Sequence, residues 1–386
     1  MGKKRGNNEG TIYRRKDGTW CAQITVGRDP DTGKPKRVTF YGKTRQEVAE
    51  KLARALNDVK QGTFMEPSRL TVGEWLDIWL NDYKRLDLRP TTWESYEVMV
   101  RCHLKPAIGH LALRDLRPEH LQHLYNEKLK AGLSARTVRY IHHVIHCALN
   151  QAKENGLVVR NVSEATKLPA LKKREIRALT LEEQQRFLEV LEQDRLGVAF
   201  KVLLGTGMRR GELLGLKWQD VDLEEATIRV RQQLTPVKGK AIYQEPKTEK
   251  ARRVIPLPRD VVLALKAHKA RQAKEKLLAG PSYQDNGLVF CTEIGTPINP
   301  RNFNRKFYEL RKKAGLGEDV NLHALRHTYA TRLLELGEDL KVVQELLGHS
   351  RIAVTADTYA HVSPKLKRDA VAKLDGMLTP KKTPSA

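Results

Sequence analysis

The chain has 386 residues, room for two or three domains at about 100–200 residues each. Hydrophobic residues make up 40%, enough for real cores, and 70 Lys/Arg against 46 Asp/Glu leave a formal net charge of +24, so a polyanion is the first partner to consider. No apolar run approaches the ~18 residues of a spanning helix, the N-terminus MGKKRGNNEG lacks the apolar stretch of a secretory leader, and Cys21, Cys102, Cys147 and Cys291 form no CxxC pair, which argues against a membrane protein and a thiolate zinc finger and for a reduced cytoplasmic chain.

Residues 1–62 read as a first domain. Thr11–Arg15, Trp20–Val26 and Arg37–Tyr41 have the β-branched and aromatic content of short strands, and Val48, Leu52, Ala55, Leu56 and Val59 line one face of a helix over Arg45–Lys60. This segment holds 15 Lys/Arg against 7 Asp/Glu, a net charge of +8. A small sheet backed by one helix leaves its other face open, and a basic sheet of this size fits a DNA groove. Arg14, Arg15, Lys36 and Arg37 are the candidate contacts. A linker over 63–69 leads to an all-helical domain at 70–165. Thr71-x-x-Glu74 and Thr91-x-x-Glu94 read as capping boxes, and a long amphipathic helix runs over Ser134–Asn155. Arg101, Lys105, Arg136 and Arg139 lie on polar helix faces, with Arg136 and Arg139 as candidate DNA contacts. A second linker, 166–177, carries the basic run Lys172, Lys173 and Arg174, also assigned to DNA. Thr180-x-x-Glu183 then opens a mixed, mainly helical domain over 178–378, with strands expected at Thr227–Leu234 and Arg253–Leu257 and helices at Leu322–Leu336 and Leu340–Leu347. Residues 379–386 form a polar tail expected to be disordered.

The third domain holds the chemistry-bearing groups. In Thr206-Gly-Met-Arg-Arg-Gly-Glu212 a glycine turn hands over to a helix, with Arg209 near its start and Glu212 close enough to orient it. A basic turn with Lys247 leads into the second strand. In His323-Ala-Leu-Arg326-His327, a stripe of Leu322, Leu325, Tyr329, Leu333 and Leu336 is expected to be buried, with His323, Arg326, His327 and Ala330 on a different face. The His-x-x-x-His spacing is also that of a zinc helix, but Arg326 opposes a dication and no glutamate follows the first histidine. His349 stands just past a helix ending in Leu346-Leu347-Gly348, and Tyr359 lies ten residues beyond it. Two arginines, two histidines, a lysine and a tyrosine suit metal-free phosphodiester chemistry. The arginines neutralise non-bridging oxygens, a histidine serves as base, the lysine protonates the leaving oxygen and the tyrosine attacks. No P-loop sequence and no acidic metal cluster is present.

These motifs, in this order and spacing, resemble those of the tyrosine recombinase (phage integrase) family. The resemblance implies a multidomain α+β chain. Residues 1–62 would form an arm-type DNA-binding sheet plus helix, 70–165 an all-α core-site-binding domain, and 178–378 a mainly-α catalytic domain. Its catalytic set would be Arg209, Lys247, His323, Arg326, His349 and the nucleophile Tyr359, supported by Glu212. It implies an integrase of a phage or conjugative transposon, without metal or cofactor, cutting double-stranded DNA at core and arm-type attachment sites through a 3′-phosphotyrosine. It would act as a homotetramer in the cytoplasm of a bacterial host, with an excisionase-like accessory protein as a further partner. Two alternatives share part of this evidence: a type IB topoisomerase relaxing supercoils, and a DNA-binding regulator with an inactive catalytic domain.

Overall fold

The computed structural model describes residues 10–28, 33–60, 70–171, 177–237, 240–245, 252–352 and 372. The chain divides into two compact units, Met1–Lys172 and Lys173–Ala386.

The first unit contains two separate cores. In one, β1 (Thr11–Arg14), β2 (Trp20–Arg28) and β3 (Pro35–Gly42) form an antiparallel sheet in the order β1-β2-β3. Helix α1 (Arg45–Lys60) lays Val48, Leu52 and Ala55 on Ala22 and Ile24. The other core is helical. It comprises α2 (Val72–Ile78), α3 (Lys84–Asp87), α4 (Pro90–Met99), α5 (Lys105–Ile108), α6 (Pro118–Lys130) and α7 (Ala135–Glu154). Two π-helical turns, Trp79–Tyr83 and Val100–Leu104, join α2 to α3 and α4 to α5. Trp75, Trp79 and Tyr125 are buried against Val138, Ile141, Ile145 and Ala148 of α7, and the Trp75 indole donates to the Ala148 carbonyl at 2.9 Å. The capping box at Thr71 forms as expected. The one at Thr91 does not: Arg89 is the N-cap and Pro90 takes the first helical position, where its fixed φ and missing N–H are harmless.

The second unit opens with α8 (Leu181–Glu192), capped by the expected Thr180/Glu183 box. Next come α9 (Gly197–Thr206), apolar almost all round and buried, and the short α10 (Arg210–Leu214). Phe200 of α9 stacks on Phe303 of α12 (Pro300–Lys313) at 4.6 Å between ring centroids. One sheet joins β4 (Val221–Asp222), β5 (Thr227–Val230) and β8 (Arg253–Pro256), and another pairs β6 (Gln233–Val237) with β7 (Lys240–Gln244). The single strand expected over Thr227–Leu234 is therefore two strands of two sheets. They part at Arg231-Gln232, whose side chains are drawn aside by Asp220 (3.2 Å) and the Gly215 carbonyl (2.7 Å). Helix α11 (Arg259–Ala279) follows, and α13 (Leu322–Glu335) and α14 (Leu340–Leu347) close the described part. Helix α13 packs against both α9 and α14, so Arg326, His327 and Thr328 are buried along with Leu325. Leu336, expected in the buried stripe, caps the helix and is 80% exposed. The start of the unit is tied to α13: Thr328 Oγ1 accepts from the Leu179 N–H at 2.9 Å, and Arg332 donates to the Leu179 carbonyl at 2.7 Å.

Candidate active site

The site is organised around the C-terminal end of α14. A helix end leaves its last carbonyls without intrahelical partners and carries partial negative charge. Here three successive carbonyls each accept from a guanidinium. Leu346 takes Arg253 Nε at 2.7 Å, Leu347 takes Arg326 Nη2 at 2.7 Å and Gly348 takes Arg209 Nη2 at 3.3 Å. Three like charges brought this close repel one another, and the carbonyl dipoles offset part of that cost. Arg326 is 2% exposed and also donates through Nη1 to the Gly207 carbonyl at 2.6 Å. Both glycines have left-handed φ, 61° at Gly207 and 65° at Gly348, which turns the chain at the ends of α9 and α14 and aims their carbonyls at the arginines.

The remaining compensation comes from Glu212, 2% exposed on α10. Its carboxylate accepts from Arg209 Nη1 at 2.8 Å and from the Arg209 backbone N–H at 2.9 Å, so it caps the helix and orients the guanidinium together. It also accepts two bonds from Arg253, at 3.0 and 3.3 Å. Burial alone would raise the Glu212 pKa, but the charges of Arg253 and Arg209 outweigh it and hold the carboxyl below its usual range.

Two histidines complete the described site. His323 stands in the first turn of α13, where Asn321 caps the helix; its face is exposed to solvent, and partial desolvation, then the charges of Arg326 and Arg209, lower its pKa. His349 follows Gly348, with its carbonyl accepting from Gln344 at 2.9 Å. Burial, then Arg326 and Arg209, push it down to about 4. His327 meets His323 edge-to-face at 5.1 Å between ring centroids, and burial followed by His323 and Arg326 lowers it to about 4. All three imidazoles are therefore neutral near pH 7, able to accept a proton or to donate through one nitrogen.

Arg209, Glu212, His323, Arg326 and His349 are thus brought together from α10, α13 and the end of α14. Lys247 and Tyr359 lie outside the described residues. The strands on either side of the Lys247 segment, β7 and β8, belong to different sheets. The residue that sequence reasoning passed over is Arg253, read there only as the first residue of an expected strand. The signal the sequence offered was slight: a charge heading an otherwise apolar strand.

The candidate DNA contacts of the first unit separate by strand parity. Tyr13 and Tyr41 pair with Cys21 across the sheet and, with Arg37, alternate onto the face away from α1, while Arg15 follows the end of β1. Tyr13 is 45% and Tyr41 52% exposed, and the Arg15 guanidinium lies 5.7 Å from the Tyr41 ring centroid. Arg14 and Lys36 share parity with Ile12, Val38 and Phe40 of the helix-side core and so do not join that open face, because alternate residues of a strand point to opposite sides. Arg14 is held to the Gly18 carbonyl at 3.1 Å. In the helical part, Arg136 is exposed, whereas Arg139 donates to the Pro169 carbonyl at 3.0 Å. Lys172, Lys173 and Arg174 lie outside the described residues.

Residues 177–365 match the phage integrase family, and residues 71–129 match the phage integrase N-terminal SAM-like domain. The chain is 35% identical over 373 residues to a tyrosine recombinase XerC-like protein of Caldanaerobacter subterraneus subsp. tengcongensis, covering 92% of this chain and 95% of that one. It is 30% identical over 385 residues to an integrase of Streptomyces ambofaciens, covering 98% of each. Its fold is similar to that of the Tn1549 transposon integrase solved with transposon right end DNA, at TM-score 0.67 and 24% identity over 79% of this chain and 99% of that one. The guanidinium cluster and these full-length likenesses agree, and the chain belongs to the phage integrase family of tyrosine recombinases, a site-specific DNA recombinase that cleaves and rejoins strands.

Proposed function

We propose that Tyr359 attacks a DNA phosphodiester held at the α14 C-terminus, with Arg209 and Arg326 carrying the charge on the non-bridging oxygens. The observation that supports this most is the convergence of both guanidinia, fixed by carbonyls and by Glu212, beside neutral His323 and His349. His323 accepts the phenolic proton and His349 hydrogen-bonds the phosphate. Lys247 protonates the departing 5′-oxygen, leaving a 3′-phosphotyrosine and a free 5′-hydroxyl. The phosphoester bond is exchanged rather than hydrolysed, so attack by a partner strand's 5′-hydroxyl rejoins the DNA without ATP. Fixed arginines suit this role because they neither deprotonate nor reorganise as charge builds up.

Residues 70–165 and 178–378 bind the core site and residues 1–62 an arm-type site, through Arg37, Tyr13 and Tyr41 on the open sheet face and Arg15 beside the Tyr41 ring. The active form is a homotetramer on two DNA sites. A lambda integrase tetramer bound to a Holliday junction shares the fold, at TM-score 0.57, and supports that reading. The natural setting is a bacterial mobile element, with an excisionase-like partner setting direction. Similarity over nearly the whole chain to a tyrosine recombinase and to an integrase favours this over a type IB topoisomerase. No helix among the described residues is long and apolar enough to cross a membrane.

The test is covalent adduct formation on a nicked duplex carrying the mapped crossover sequence. Wild-type protein accumulates a denaturation-resistant adduct and Tyr359→Phe forms none. Arg326→Lys keeps the charge but not the two-point carbonyl grip, and slows the reaction by about 10²–10³-fold. An adduct with Tyr359→Phe removes the nucleophile assignment.

A further inference from the structure

Arg253 sits at the head of β8, immediately after the segment that carries Lys247. Its side chain is 6% exposed and spans two partners: both carboxylate oxygens of Glu212 and the Leu346 carbonyl of α14. It therefore joins three pieces of chain: the turn before α10 with Arg209, the end of α14 that leads into His349, and β8, which follows Lys247 in sequence. We propose that Arg253 is a positioning residue for strand cleavage, holding the Glu212–Arg209 pair and the α14 C-terminus in register with β8.

The proposal rests on the recombinase reading of this site and adds to it a residue outside the proposed catalytic set. Its physical basis is the difference between Glu212's two partners. Arg209 is partly exposed (side chain 38%) and makes its bonds across one helical turn, while Arg253 is buried and reaches Glu212 from a different element. With Arg253 removed, the buried carboxylate keeps Arg209 as its one cationic partner among the described residues, and the balance between burial and charge shifts toward its neutral form. A neutral Glu212 no longer fixes the Arg209 guanidinium. Misplacement of a catalytic group by about 1 Å costs on the order of 10²-fold in rate. Among the described residues the charged groups acting on Glu212 are Arg253 from β8 and Arg209 from its own turn; His323 and Arg326 of α13 and His349 after α14 surround Arg209.

The full-length protein is tested on the same nicked duplex, with wild type and Tyr359→Phe run first. Failure of wild type to form an adduct counts against the recombinase reading, not against Arg253. Given that activity, Arg253→Gln is expected to bind the duplex within about twofold of wild type and to cleave about 10–100-fold more slowly at pH 7. Its rate acquires an acid limb that wild type lacks, falling as pH falls and Glu212 takes up a proton, and the added Glu212→Gln change abolishes that limb. A folded Arg253→Gln with wild-type rate overturns the proposal. So does a rate loss matched by an equal loss of binding, a rate loss with an unchanged pH profile, or a limb that survives Glu212→Gln and so belongs to the imidazoles. Should Arg253→Gln fail to fold, Arg253→Lys decides: a loss of at least about tenfold in cleavage at unchanged affinity supports the three-point geometry, and near-normal cleavage rejects it.

Discussion

Arg326 and His349 illustrate how single side chains set the chemistry. Arg326 is buried with both terminal nitrogens on backbone carbonyls, so its position is a property of the fold rather than of a bound ligand. Burial, and after it the positive charges that suit a phosphate, suppress protonation of the imidazoles at the site. His349 and His327 both lie near 4, against an ordinary value of 6.5. A histidine whose pKa falls on folding favours the folded state when neutral. That contribution is intact above about pH 6.5 and is lost progressively as pH falls toward 4, because the unfolded chain then binds the extra proton more readily. Thermal unfolding of the DNA-free protein should therefore show Tm falling between pH 6.5 and 4, and His349→Gln should reduce the slope. A slope indifferent to that change would place the histidine's ionisation outside the folding equilibrium. At this scale the sequence was informative about identity: Arg209, Glu212, His323, Arg326 and His349 could be named from motif and spacing. Arg253 could not, because its meaning depends on Glu212 and the Leu346 carbonyl, 41 and 93 positions away.

The elements that hold the site are short and terminate at glycines. Gly207 has φ 61°, and a Cβ built there would stand 2.5 Å from Cδ1 of Tyr329 and 2.9 Å from Cδ2 of Leu347. Gly207→Ala combines backbone strain with a clash between α9, α13 and α14. It should destabilise the protein by roughly 1–3 kcal/mol and lower Tm by several degrees in a calorimetric scan; an unchanged Tm would mean that the α9–α13 packing yields easily. Helix ends were legible where a single residue decides them, as at Ser134 and Thr180, whose side chains cap the next helices. They were misread at Thr91, where Pro90 pre-empts the cap, and at Thr227–Leu234, where two side-chain contacts split an apparently continuous strand. The buried stripe of α13 was misassigned because periodicity presumes one buried face, and this helix is covered by α9 on one side and α14 on another.

For the molecule as a whole, the net charge is +24, and the buried Arg253 and Arg326 are held by Glu212 and by the Gly207 carbonyl. The consequence of the charge is for binding. Each phosphate contact that releases a counterion contributes about −0.9 to the slope of log affinity against log salt. Affinity for a crossover duplex should fall steeply between 50 and 200 mM salt (by about 10³–10⁵ for six to ten contacts), measured by fluorescence anisotropy. A flat response would mean that the charge serves something other than DNA. The account stands most directly on where DNA becomes attached. The covalent adduct, digested with trypsin and mapped by mass spectrometry, should carry its nucleotide on the peptide containing Tyr359. A nucleotide found instead on Tyr329, the tyrosine packed against Gly207 in the described site, or on a serine or histidine, would contradict the proposed cleavage centre.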